Sequence, residues 1–146
     1  MSDMADGNDD EKQLKELGCG MLANDADARV VILKGPKKDF DSLEIKHQAR
    51  FIGIMKGWCN GQKLLPAMFN YNEGRSKQKN CLIQVFKGFK HRFYGFQTKI
   101  NNTKTFVVVK SDLNKKQDKA DPIILARAME ISDQLQAAID AASEGK

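Results

Sequence analysis

The period of the hydrophobic positions changes several times along the chain, and each change marks an element. Ala28-Arg29-Val30-Val31-Ile32-Leu33-Lys34 is a β-branched apolar run halted by Gly35-Pro36, and it predicts a strand. Spacing of three and four residues then takes over. Gln48, Phe51, Ile52, Met55, Trp58 and Cys59 share one helical face, with Lys46, Arg50 and Lys56 elsewhere. A helix is therefore expected near 40–59, opened by Asp39 or Asp41 as its cap and closed by Asn60-Gly61. On it, Met55 and Trp58 read as core contacts and His47 as a surface residue. Residues 60–80 form a turn-rich connector, and three β segments follow at 81–86, 90–100 and 103–111. Gly88 suits a bulge or turn between the first two. Asn101-Asn102 suits a two-residue hairpin turn, because asparagine tolerates the positive φ such turns require. Together the three segments predict an antiparallel meander. A final helix spans 122–141: Asp121 caps it, Pro122 takes the first position, and Ile124, Ala128, Ile131, Leu135, Ala138 and Ala142 recur at four and three.

This succession predicts an α+β fold in which an antiparallel sheet of about four strands packs with helices, the strand from Arg29 joining the meander. Residues 28–142 make one domain, and 143–146 a flexible C-terminus. Residues 1–27 read as an acidic, flexible tail in which Leu14, Leu17, Met21 and Leu22 offer at most a short marginal helix. At 146 residues the chain can bury a core without staples. Its three cysteines, Cys19, Cys59 and Cys81, are odd in number and widely spaced, which argues against a disulfide framework. With only His47 and His91 beside them, no zinc-type spacing exists, and neither a metal nor a small-molecule cofactor is expected. No apolar run approaches the ~18 residues of a membrane span, and the acidic N-terminus lacks the order of a signal peptide. The expectation is a cytoplasmic protein with no membrane association.

Charge changes the picture. Residues 1–27 hold two lysines against eight acidic residues, whereas 77–119 hold eleven Lys/Arg against only Asp112 and Asp118. A block this basic with aromatics inside it is the footprint of a phosphate-backbone binder, although a solvated lysine-rich surface has the same composition. Lys87, Lys90, His91 and Lys119 are its candidate nucleic-acid contacts. Within the second meander strand, alternation places Lys90, Arg92, Tyr94 and Phe96 on one face and His91 on the other.

The strand Arg92-Phe93-Tyr94-Gly95-Phe96, the apolar Val107-Val108-Val109-Lys110-Ser111, and the turn Lys115-Lys116-Gln117-Asp118-Lys119 leading into an alanine-spaced helix carry a resemblance. Taken with the order strand, helix, connector, three-stranded meander, basic turn and terminal helix, they resemble the RelE/ParE superfamily of toxins, in its phage-derived HigB-like branch. The likeness covers roughly residues 28–140. Departures are Asp118 where the family has threonine, Pro122 arriving late, and Ile83-Gln84-Val85 in place of a Glu-Leu-Arg strand.

The resemblance implies a toxin of a type II toxin–antitoxin module: a metal-independent, ribosome-dependent endonuclease of messenger RNA, silenced by a cognate antitoxin. The ribose 2′-OH attacks the adjacent phosphate and the 5′-oxygen leaves, which needs a base, positive charge on the phosphate and a donor to the leaving oxygen. Arg92, Tyr94, Lys115 and Lys116 are the catalytic candidates. Arg92 matches two phosphate oxygens with its planar fork, Tyr94 could donate or stack, and a lysine crowded by other cations could act as base. Two alternatives stay open: a ParE-like toxin that inhibits gyrase, and a basic nucleic-acid-binding module without chemistry.

Overall fold

The structure, a computed structural model, describes residues 3–113 and 119–144. Ten elements occur in the order α1 (Asp3–Glu16), β1 (Cys19–Asp25), β2 (Ala28–Leu33), α2 (Lys34–Asp41), α3 (Ile45–Cys59), β3 (Phe69–Asn70), β4 (Gln84–Gly88), β5 (His91–Ile100), β6 (Thr103–Asp112) and α4 (Pro122–Glu144). The six strands form one sheet in the order β1-β2-β6-β5-β4-β3. Four of the five pairings are antiparallel; β2 runs parallel to β6, with Val30 opposite Phe106 and Ile32 opposite Val108. The class is α+β, as expected, but the sheet is larger than four strands and mixed. A parallel pair needs a crossover. Here α2, α3 and the rest of the chain up to β6 supply it.

Helices cover both faces, and strand alternation sorts the side chains between them. Val30, Ile32, Phe86, Phe93, Phe106 and Val108 point toward α2 and α3, where Phe40, Phe51, Met55 and Trp58 close the first core. Val31, Val85, Tyr94, Phe96, Val107 and Val109 point the other way, against Ala128, Leu135 and Ile139 of α4 and Leu14 of α1. Strands buried on both faces read as continuous apolar runs, which is the character of Val30-Val31-Ile32 and Phe106-Val107-Val108-Val109.

The strand expected at 81–86 is β4 at Gln84–Gly88, and the connector expected over 60–80 contains the short edge strand β3. Three further differences bear on the packing. The helix near 40–59 is two helices: α2 begins directly after β2, with Pro36 in its first turn where a missing N–H goes unnoticed. It ends at Ser42-Leu43-Glu44, where the Gln48 side chain donates to the carbonyls of Asp41 and Leu43 and so fixes the bend. Second, residues 1–27 are not without structure of their own: α1 and the edge strand β1 occupy most of them. Arg29, 5 % exposed, grips Asp10 of α1 through both guanidinium nitrogens at 2.5 and 3.0 Å, while its Nε donates to Thr105 Oγ1 and a terminal nitrogen donates to the Ile100 carbonyl. Asn101 Nδ2 donates to the same carboxylate at 2.7 Å. Third, α4 continues to Glu144, past the expected end.

The Asn101-Asn102 turn holds as predicted, both residues having positive φ (52° and 62°). Gly88 flanks the β4–β5 turn as the last residue of β4 and forms no bulge. The β5–β6 register slips between Tyr94 and Gly95 instead, and there a Cβ on Gly95 would lie 2.0 Å from the Val107 carbonyl oxygen.

Candidate nucleic-acid interface

The basic residues singled out in the meander converge on one place, the tip of the β4–β5 hairpin. Gly88 pairs with His91, and one step down the ladder Lys87 pairs with Arg92. Phe89 and Lys90 make the turn itself, both exposed. Among the described residues Lys87, Lys90 and Arg92 form no ion pair with a carboxylate; Arg92 donates only to the His91 carbonyl, at 3.3 Å. Arg92 is half-buried, opposite Asp112 in the β5–β6 ladder. Three cations gathered at one tip, with Asp112 across the ladder but in no ion pair with them, raise the local potential for an anionic backbone.

The expected common face of Lys90, Arg92, Tyr94 and Phe96 does not form an open surface: Lys90 lies in the turn before β5, outside the strand alternation. Tyr94 and Phe96 do share a face, but it is the one that α4 covers, and each is 1 % exposed. Burial, with the negative charges of Glu73 and Asp112, pushes the Tyr94 phenol up to about 12, the Arg92 guanidinium opposing. Its ring is a core side chain, out of reach of a polymer at the surface. Arg92, two residues nearer the tip, emerges at the rim.

His91 does point to the face opposite Arg92. It is buried against α3, with Nε2 3.3 Å from His47 Nδ1. Burial first, and the neighbouring His47 second, hold its pKa below the usual 6.5, so the imidazole is stabilised in its neutral form. His47 lies 3.5 Å from a Glu44 carboxylate oxygen and stacks on Phe89, ring centroids 3.6 Å apart. These partners differ from the expectation, in which His47 was a surface residue and Phe89 had no role. The available signal was local, an aromatic at a hairpin position that favours glycine. Phe89 indeed has φ of +56°.

Lys119 is exposed at the approach to α4. Lys115 and Lys116, with the rest of 114–118, lie outside the described residues. Among the described residues no group of three or more His, Cys, Asp or Glu side chains is placed to hold a metal ion, and no helix is long and apolar enough to cross a membrane. No family model matches the chain, and no curated protein or solved structure matches it.

Proposed function

We propose that this chain is a toxin of the RelE/ParE kind that acts on messenger RNA at the ribosome and is silenced by a small acidic antitoxin, with the β4–β5 tip as its RNA contact. The observation that carries the reading is the gathering of Lys87, Lys90 and Arg92 on one hairpin tip without carboxylate partners among the described residues. The succession β2, α2–α3, β4–β6, α4 supports it, being the element order on which the resemblance rests.

In this reading Arg92 binds the scissile phosphate, since its fork reaches two oxygens at once. Proton transfer falls to the lysines of the 115–119 segment, because Tyr94 belongs to the core. The burial of Tyr94 and His91 favours a second reading: a module that grips the RNA backbone and does not cut it.

Mapping messenger RNA 5′ ends after induction separates the readings. Discrete cuts that fall roughly 10²–10³-fold with Arg92→Ala support the nuclease, that being the usual cost of one preorganised charge. RNA association weakened by Arg92→Ala, with no cuts, supports the binding module. Loss of DNA supercoiling without cuts would refute both in favour of gyrase inhibition. Antitoxin binding to the basic tip should slow as salt rises; a rate unchanged by salt excludes the tip as the contact.

A further inference from the structure

We propose that Phe89, stacked on His47, is a platform on which a base of single-stranded RNA stacks while the surrounding cations hold the backbone. The inference rests on the RNA reading above and adds a subsite to it.

The backbone at Phe89 is the first observation. A φ of +56° is sterically costly for a bulky side chain, and glycine would occupy this turn position without strain. The chain nonetheless places a phenylalanine there and leaves it 52 % exposed. Among the described residues its one aromatic neighbour is His47, at 3.6 Å and an interplanar angle of 27°, so the ring sits at the surface and not in either core cluster. The result is a two-ring stack backed by protein on the His47 side and open to water at Phe89. Such a stack is completed by a third flat ring.

The surroundings indicate which ring. Lys90 follows Phe89 in the turn, and Arg50, exposed, lies one helical turn on from His47 along α3. Lys87 and Arg92, one ladder rung behind the turn, face the other side of the sheet, where a backbone rounding the tip would meet them. An exposed aromatic ring flanked by cations is an arrangement by which proteins bind single strands: the charges follow the phosphates and the ring takes a base of any identity. Behind Phe89 the His47 Nδ1 lies 3.3 Å from the buried His91 Nε2, which backs the platform with a second ring from the hairpin itself.

Phe89→Gly provides the test, because it removes the ring and relieves the backbone together. Fluorescence anisotropy would follow binding of the full chain to a labelled single-stranded RNA of about ten nucleotides, with inorganic polyphosphate as a probe that has charge and no bases. The expected result is RNA affinity lowered roughly 5- to 100-fold, the worth of one stacked base, with polyphosphate binding unchanged and the melting temperature equal or higher. Phe89→Tyr should restore the affinity. Equal RNA affinity in Phe89→Gly and the parent chain would overturn the platform, as would parallel losses for RNA and polyphosphate or a loss of folding stability alone. If Lys87→Ala and Arg92→Ala weaken RNA binding and Phe89→Gly does not, the RNA reading survives and the platform falls. If the parent chain binds no RNA, both fall.

Discussion

Removing the Asp10 carboxylate should undock the first helix and cost the whole fold a measurable part of its stability. Arg29 is the most deeply buried charge described, with its side chain 6 % exposed, and Asp10 supplies its countercharge through a two-pronged contact while remaining 27 % exposed itself. In Asp10→Ala the guanidinium keeps its bonds to Thr105 Oγ1 and to the Ile100 carbonyl but loses the only carboxylate it touches among the described residues. Breaking a fully buried pair from one side costs about 3–5 kcal/mol. The exposed edge of Asp10 lets water enter the gap, so the loss here should be nearer ~2–3 kcal/mol. For a chain of this size that is a fall of about 5–10 °C in melting temperature.

Thermal and urea melts would measure the loss, and amide exchange along Asp3–Glu16 would locate it, since α1 is otherwise held chiefly by Leu14 and Leu17. The mechanism has its own control. If the penalty is an orphaned buried charge, Asp10→Ala combined with Arg29→Met should recover most of it, because an apolar chain of similar length needs no partner. A single variant within ~0.5 kcal/mol of the parent, the range of an ordinary surface change, would refute the argument. A double variant no better than the single would refute the charge explanation while leaving the docking intact.

Gly95→Ala should be among the most damaging single-methyl changes, by more than about 3 kcal/mol in urea melts, because its Cβ meets the Val107 carbonyl at 2.0 Å and relief requires parting β5 from β6; a normal melt would disprove the close approach. Tyr94→Ala should cost about 3–5 kcal/mol as a core deletion, whereas Tyr94→Phe should keep the RNA affinity and any cleavage of the parent; cleavage lost in a stable Tyr94→Phe would return the phenol to the site. Stability should also fall in mild acid. The fold holds the His91 pKa below 6.5, so the unfolded chain takes up a proton that the folded one refuses. The contribution is complete above pH 6.5 and declines as pH drops toward the folded value, and His91→Gln should flatten that slope in melts at stepped pH.

The meander and the last helix were legible because their signals are local. Asn101-Asn102 can take the left-handed backbone, Thr103 to Ser111 is a β-branched run with an apolar centre, and Pro122 fits one end of a helix only. The first two elements were not, because their stability comes from elsewhere in the chain. In β1 only Cys19 and Ala23 are buried, and the register slip between Met21 and Ala23 breaks the two-residue period that marks a strand. In α1 the residue that matters is Asp10, one of six acidic residues before Leu17, and nothing nearby distinguishes it as the partner of a buried arginine 19 positions away. The split between α2 and α3 was hidden for a similar reason: the apolar spacing runs on through Leu43, and the bend is fixed by Gln48 reaching back to two carbonyls.

The site was half legible, and the missing half follows from one property of the sheet. Period two correctly put Arg92 and Tyr94 on one side and His91 on the other, but alternation does not say which side meets water. Composition along the neighbouring strands did carry that information. A strand with one wet face alternates apolar and polar, whereas Val30-Val31-Ile32 and Phe106-Val107-Val108-Val109 do not alternate at all, which requires cover on both faces. The amphipathic stripe of α4 was the available cover, and with it in place every inward position along mid-β5 is core. Chemistry on such a sheet is confined to its ends and turns. That is where Lys87, Lys90 and Arg92 emerge, and where Phe89 sits in a conformation that suits glycine better. Any polyanion that met Arg92 would have to run across the β4–β5 tip, because core side chains close the sheet behind it on both faces.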